Sequence, residues 1–400
     1  MDIIKPFISS LDRELRLNIL PFWTRRMIDH ESGGFFGRMD GYGNIHKDSP
    51  KGAVLNGRIL WTFCNAYNHF REKEYQEAAE RSMEYIRDHF IDYDHGGVFW
   101  TVDHTGKPAE TKKQIYAIAF IIYGLASYYR VFRDKTALEL AVQLFDAIED
   151  HSYDPAFDGY FEAYDREWNL LSDLRLSAKD SNEKKTMNTH LHVLEAYTLL
   201  YMALPNHKLA RRLESLVDLF LDRIIQNTYH FGLFFSESWE LRSRKVSFGH
   251  DIEGSWLLCE AADVLDYAPL RQRVRKVALE IVDMTLREGF DHDGALLNER
   301  DEEGRLDSDK HWWPQAEAMI GLVNAYEMTG YDSYLEKAWQ VWQFTKNKIV
   351  DPINGEWYFR VNREGWPYEK EDKAGLWKCP YHNSRACLEI IRRMGGSAAA

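Results

Sequence analysis

Cysteine is scarce in this 400-residue chain, with only Cys64, Cys259, Cys379 and Cys387. None forms a C-x-x-C pair or a zinc-binding quartet, so no disulfide scaffold or zinc ribbon is encoded. Basic charge is in deficit too. The 50 Lys and Arg against 63 Asp and Glu leave a net charge of −13. The chain therefore lacks the electrostatic footprint of a nucleic-acid binder. It has no basic run to meet an anionic membrane surface. No window approaches 18 unbroken apolar residues, and the opening "MDIIKPFISSLDREL" carries early acids and no apolar signal core. A cytosolic location is expected, with neither nucleic acid nor membrane as partner. No linker rich in Pro, Gly or Ser divides the chain. Residues 1–394 are expected to form one domain, and 395–400, "GGSAAA", read as a tail left by cloning.

What is present is a globular balance of 45% hydrophobic and 28% charged residues, with aromatics at 14% and 13 Trp. Trp and Tyr can line sugar sites, because a ring face packs on the C–H face of a pyranose. They are also common core residues, and the core reading takes precedence for most of them.

One motif recurs: "DHESGGFFGRMD", "DYDHGGVFWTVD", "YDPAFDGYFEAYD", "TYHFGLFFSESWE", "FDHDGALLNERD" and "DPINGEWYFRVN". Each is a polar turn, a glycine and then alternating aromatic and polar residues. The glycine supplies a positive φ, and the alternation reads as a short extended segment. Gly33, Gly96, Gly159, Gly232, Gly294 and Gly355 are spaced 63, 63, 73, 62 and 61 residues apart. Six near-equal units mark a repeat architecture. Between the turns lie two helical segments. "KKQIYAIAFIIYGLASYYRVF" is apolar nearly all round and reads as an inner helix. "KTALELAVQLFDAIEDH" is amphipathic and reads as an outer one. Six such hairpins predict an all-α (α/α)6 barrel with short β-like segments in the connecting loops. An open solenoid is the runner-up, but it would need polar capping units.

In a barrel the starts of the inner helices meet at one mouth. Those starts offer Arg58; Tyr116; Asn188, His190 and His192; His250, Glu253 and Trp256; Trp313 and Glu317; and Trp377 and His382. His190 and His192 are two residues apart and cannot serve one metal from one helix face. Three histidines could still converge on zinc from three helices. A lone histidine is more often a satisfied core residue, but three at matched helix starts favour chemistry. Glu253, one turn after His250, is placed to accept from one ring nitrogen and leave the other as a base. Trp256 reads as cleft wall. Trp312 and Trp313 are not expected to face the cleft together. Glycoside hydrolysis needs two flanking carboxyl groups, for which Glu253, Glu317 and Asp180 are available. The helix starts nevertheless carry more histidine than acid, which suits proton transfer at carbon near neutral pH.

Together "MNTHLHVLEAYT", "GHDIEGSWLL", "WWPQAEA", "NGRILWTF" and "LWKCPYHNSRACLEI" resemble the cellobiose 2-epimerases of the N-acylglucosamine 2-epimerase superfamily. The likeness runs along nearly the whole chain in order and spacing. It implies an (α/α)6 barrel and an isomerase that uses neither metal nor nucleotide cofactor. The implied reaction inverts C2 of the reducing-end glucose of a β-1,4-linked disaccharide by way of a cis-enediolate. By motif, the family's three histidines fall on His192, His250 and His382 and its arginine on Arg58. Supporting positions fall on Tyr116, Asn188, Glu253, Trp256, Trp313, Glu317 and Trp377. The resemblance implies His250 and His382 as the proton-transferring pair, His192 at O1, and Glu253 orienting His250. Trp313 and Trp377 would stack on the two sugar rings. The implied partner is a disaccharide with a free reducing end, bound by a monomer, with a dimer as the alternative. The other readings are a mannobiose or N-acylglucosamine 2-epimerase, an aldose–ketose isomerase, a glycosidase and a non-catalytic sugar binder.

Overall fold

A computed structural model describes residues 3–395, so most of the predicted tail lies outside the described residues. Thirteen α-helices follow one another among these residues. They are α1 (Ile4–Glu14), α2 (Leu20–Arg26), α3 (Ala53–Phe70), α4 (Lys73–Tyr85), α5 (Ile115–Phe132), α6 (Lys135–His151) and α7 (Met187–Ala203). Then come α8 (His207–Leu219), α9 (Phe248–Leu265), α10 (Ala268–Glu288), α11 (Trp312–Thr329), α12 (Asp332–Phe344) and α13 (Tyr381–Met394).

The largely buried helices α3, α5, α7, α9, α11 and α13 pack side by side, and α13 returns to α3. They form the inner ring of an (α/α)6 barrel. Helix α5 shows why: every residue from Ile115 to Tyr128 is buried. It is long and apolar enough to cross a membrane by composition, yet here other helices cover it. Gly57 and Gly124 let α3 and α5 approach closely. A Cβ on Gly57 would lie 2.6 Å from the Phe120 carbonyl oxygen, and one on Gly124 would lie 2.7 Å from that of Gly57. The amphipathic helices α4, α6, α8, α10 and α12 each cover the inner helix before them. The sixth outer helix is α1, which packs on α13. The last hairpin is thus assembled from both ends of the chain.

The extended segments predicted after the turns are two-residue strands that stitch unit to unit. Lys51–Gly52 pairs with Thr101–Val102, Lys113–Gln114 with Ala163–Tyr164, and Lys185–Thr186 with Phe234–Phe235. Val246–Ser247 pairs with Glu299–Arg300 and Lys310–His311 with Arg360–Val361. A bridge between Met39 and Ala374 closes the circle. The first-named strand of each pair leads directly into an inner helix, so the stitches fix where those helix starts stand around the mouth.

Five of the six glycine turns have the expected positive φ, at Gly33, Gly96, Gly159, Gly294 and Gly355. Gly232 does not. In its turn Tyr229 takes the left-handed position, at φ 60°. Gly232 is needed for space instead: a Cβ there would lie 2.6 Å from both Leu241 and Phe235.

Candidate active site

The inner-helix starts enclose a cleft of about 450 Å³. Arg58, Tyr116, Asn188, His192, His250, Glu253, Trp313, Trp377 and His382 all line it, as does Asp180 from the 174–184 loop. Three predicted placements change. Trp256 is buried behind the cleft, where its indole N–H donates to Glu317 Oε2 at 3.1 Å. Glu317 also stands behind the wall, accepting from His382 Nδ1 at 2.7 Å. Trp312 and Trp313 both reach the cleft, although Trp312 is largely covered and packs on Phe359.

Four histidines line the cleft, and His192, His250 and His382 are each held by Nδ1, whereas the fourth, His311, packs its ring on Phe359. His192 meets Glu195 Oε2 at 2.8 Å, His382 meets Glu317, and His250 meets the Ser247 hydroxyl at 2.7 Å. In each case Nε2 has no protein partner among the described residues. The expected pairing of His250 with Glu253 does not occur. Glu253 turns towards the barrel axis, where Arg385 Nη2 donates to it at 2.6 Å. His250 turns back to Ser247, the residue at the N-cap position of its helix, whose hydroxyl makes no capping bond to the backbone. His190 faces away from the cleft. Its Nδ1 donates to the Thr186 carbonyl at 2.6 Å and its Nε2 accepts from Tyr160 N–H at 2.8 Å, as befits a core histidine.

Under the histidines lies a fully buried network. The Arg385 guanidinium donates to Glu195, Glu253 and Glu317, and Tyr381 donates its hydroxyl to Glu195. Burial alone would raise the Glu195 carboxyl, but Arg385 and the His192 and Tyr381 hydrogen bonds hold it down at about 2. Burial, and then the neighbouring Glu317 charge, push Glu253 well above the usual carboxylate range. One guanidinium faces three carboxyl groups, and burial raises Glu317 as well. Glu253, Glu317 and His382 are close enough to suggest a metal cluster. The Arg385 Nη2 donates to both carboxyls, at 2.6 and 2.7 Å, so this donor set already holds a cation. The same arrangement fails the geometry of glycoside hydrolysis, which needs carboxyl groups flanking the bound sugar. Here Glu253 and Asp180 reach the cleft but Glu317 does not, and both are engaged elsewhere, Glu253 by Arg385 and Asp180 by Ser177 of its own loop.

All three histidines are neutral at pH 7. Burial lowers His250 to about 3, helped by the nearby His192 and Arg58. Burial also lowers His192 despite Glu195, and carries His382 well down, aided by Arg58 and Arg385. Arg58 is buried under the cleft floor. It donates to the Tyr116 hydroxyl at 2.9 Å and lies 4.1 Å over the Phe120 ring. Trp313 stands between the two outer histidines, 4.7 Å from the His250 ring and 5.7 Å from that of His382. Trp377 packs against Tyr116 and Trp100 on the opposite side. Asn188 presents a side-chain oxygen with no partner among the described residues.

Glu195, Arg385, Tyr381 and Ser247 were not anticipated. A signal for two of them was present. The spacing that drew attention to "HDIE" recurs as "HVLE" at 192–195 and "HNSR" at 382–385. Each places a charged residue one turn after a cleft histidine.

The N-acylglucosamine 2-epimerase family model matches residues 34–386. Cellobiose 2-epimerase of Bacteroides fragilis is 45% identical over 96% of this chain and 98% of its own. Cellobiose 2-epimerase of Ruminococcus albus is 42% identical over the same shares. The solved structure of cellobiose 2-epimerase from Bacillus thermoamylovorans superposes with a TM-score of 0.94 at 36% identity. It covers 97% of this chain and 100% of that one. The chain belongs to the N-acylglucosamine 2-epimerase family and is an isomerase, a carbohydrate epimerase.

Proposed function

We propose that the protein is a disaccharide 2-epimerase that inverts C2 of the reducing-end glucose of a β-1,4-linked disaccharide, cellobiose being the first candidate. The observation that carries this reading is the set of three neutral imidazoles, each anchored at Nδ1 with Nε2 open to one cleft. The likeness to two cellobiose 2-epimerases over nearly the full chain supports the substrate class.

The sugar ring must first open, because only in the free aldehyde is the C2 proton α to a carbonyl. His192, beside Arg58 and Tyr116, attends O1 in this step. One of His250 and His382 then takes the C2 proton on Nε2. The C–H electron pair moves into the C1–C2 bond, and the carbonyl electrons settle on O1 as an enediolate oxyanion. Arg58 opposes that charge from a buried position, where electrostatic stabilisation is strongest. Rotation about C2–C3 turns the other face to the second histidine, which at this point carries a proton on Nε2; that N–H bond breaks with its electron pair staying on the ring, the C2–H bond forms, and the O1 electrons re-form the carbonyl. A neutral imidazole with Nε2 free is the required base, and the burial of these rings favours that form. Trp313 and Trp377 offer the flat apolar faces that pyranose rings stack on.

Turnover of cellobiose in heavy water, followed by NMR, tests the reading. Deuterium is expected at C2 of a glucosyl-mannose product. An epimer that forms without deuterium would replace proton transfer with hydride shift, and no epimer from any β-1,4 disaccharide would end the proposal.

A further inference from the structure

Opening the sugar ring takes two proton transfers. A base removes the O1 proton, and an acid must protonate O5 as the C1–O5 bond breaks. Glu195, ionised despite its burial because Arg385 faces it, can only accept at His192 Nδ1. The neutral His192 ring therefore carries its proton there and leaves Nε2 free as the base at O1. The acid has to come from a different side chain, since His250 and His382 act at C2. Burial pushes the Tyr116 hydroxyl well up, which makes it a weak acid, and Asp180 is held by Ser177 of its own loop.

Glu253 is the other carboxyl on the cleft wall. It sits one helical turn after His250 on α9, with 1% of its surface exposed. Arg385 Nη2 engages its Oε1 at 2.6 Å, whereas Oε2 has no partner among the described residues and is not sealed from the cleft. Oε1 lies 3.9 Å from His382 Nδ1, so Glu253 stands beside that ring without a hydrogen bond to it. Burial, and then the Glu317 charge, favour the neutral form of Glu253, in which the open oxygen can carry a proton. Arg385 is already in place to hold the carboxylate that forms when that proton leaves.

We propose that Glu253 is the general acid of ring opening, protonating O5 from Oε2 while His192 takes the O1 proton, a proposal that rests on the epimerase reading above. The O1–H bond breaks, and its electron pair forms the second C1–O1 bond. The C1–O5 pair goes to O5, which bonds the proton from Glu253, and the carboxyl O–H pair stays on Oε2. One imidazolium and one carboxylate result, so charge balances within the step. The His192 Nε2–H then faces O1 as enediolate charge develops. The new carboxylate, close to His382, strengthens that ring as a base. Ring closure after inversion runs the same transfers backwards and returns both groups to their starting forms, so this step draws no proton from solvent. One acid is enough here, whereas glycoside hydrolysis needs two flanking carboxyl groups.

Interconversion of the two cellobiose anomers passes through the same open chain and leaves C2 untouched, so it reads ring opening alone. The experiment follows it by NMR exchange between the anomeric protons, alongside epimerisation, in the parent, Glu253→Gln and Glu253→Asp. The parent is expected to speed anomer exchange. Glu253→Gln has no acid proton and should lose about 10²-fold or more in both rates, with circular dichroism like the parent's. Glu253→Asp keeps the acid one methylene further back, so both rates should fall together and by less. Anomer exchange intact in Glu253→Gln overturns the proposal, because any loss of epimerisation would then arise at the C2 histidines. So does a parent that leaves anomer exchange at its uncatalysed rate. Should Glu253→Gln not fold, Glu253→Asp decides: proportional loss of both rates supports the acid, and loss of epimerisation alone overturns it. The heavy-water experiment keeps the two readings apart. A parent that epimerises with deuterium at C2, while Glu253→Gln exchanges anomers at the parent's rate, loses the ring-opening acid and keeps the epimerase.

Discussion

A buried imidazole at this site differs from a free one in one useful respect: it resists protonation. His250 is held at about 3 by burial, with nearby His192 and Arg58 adding to it, and His192 and His382 are lowered as well. Protonation would remove the base, so activity is lost as pH falls through these lowered values. The acid limb of the kcat/KM profile should therefore lie below the ordinary value of 6.5, and a limb centred at or above it would contradict the neutral-base assignment. His382→Ala should lower kcat by about 10²–10⁴ while the circular dichroism and melting temperature stay close to the parent's. Glu253→Gln bears on the network beneath. Burial and the Glu317 charge raise the Glu253 carboxyl and favour its neutral form, so a neutral amide should leave the melting temperature within a few degrees, whereas Glu195→Gln removes an ionised partner and should lower it further. At this scale the sequence was informative about residue type and silent about partner. The cleft histidines stand out because they recur at matched helix starts. Ser247 carries no such mark, since a serine before a helix reads equally well as a cap. The partner of Glu253 lies 132 residues away on α13, a distance that no local pattern encodes.

At the scale of elements, the same device holds five of the six turns. A buried lysine reaches a buried aspartate in Lys51–Asp29, Lys113–Asp92, Lys185–Asp154, Lys310–Asp291 and Lys373–Asp351. In the first four the lysine sits in the strand just before the inner helix, so the pair ties the turn to the helix start. The fourth unit has Gln226 and Val246 at these places and lacks the pair. There His230 Nδ1 pairs with Asp251 Oδ2 at 2.7 Å, and Asp251 also accepts from Phe231 N–H. This is the unit whose glycine departs from the expected φ. The turn motif was legible because polar residues and glycine recur at fixed spacing. Its exception was not, because a glycine required for space looks the same as one required for φ. Lys51→Met leaves Asp29 buried without its cation, and should cost about 3–5 kcal/mol in denaturant unfolding. Adding Asp29→Leu removes the stranded charge as well, so the double variant should recover part of that loss. A double variant no more stable than Lys51→Met would show that the pair contributes by shape rather than by charge.

Across the whole molecule, six units make a ring only because both chain ends supply the last one. The repeat count in the sequence was enough to predict a barrel, but not how it closes, since the opening helix carries no glycine turn before it. In the structure α1 and α2 seal the sixth unit with three indoles. Trp342 Nε1 donates to Ser10 Oγ at 3.0 Å, Trp357 Nε1 to Glu14 Oε1 at 2.8 Å, and Trp23 Nε1 to Glu356 Oε1 at 3.2 Å. Glu356 in turn accepts from Asn383, the residue after His382, so the seal reaches the site. An open solenoid frays from its terminal repeats, whereas a closed ring has no terminal repeat. Trp23 is fully buried, and Trp23→Ala should cost about 3–5 kcal/mol. If the ring unfolds as a unit, the variant melts in one transition at lower temperature, with far-UV circular dichroism and indole fluorescence coincident. Amide exchange should then accelerate in α7 as much as in α13, on the opposite side of the barrel. An early transition confined to α1, α2 and α13 would mean that the seam opens alone and that the molecule behaves as a solenoid bent into contact with itself.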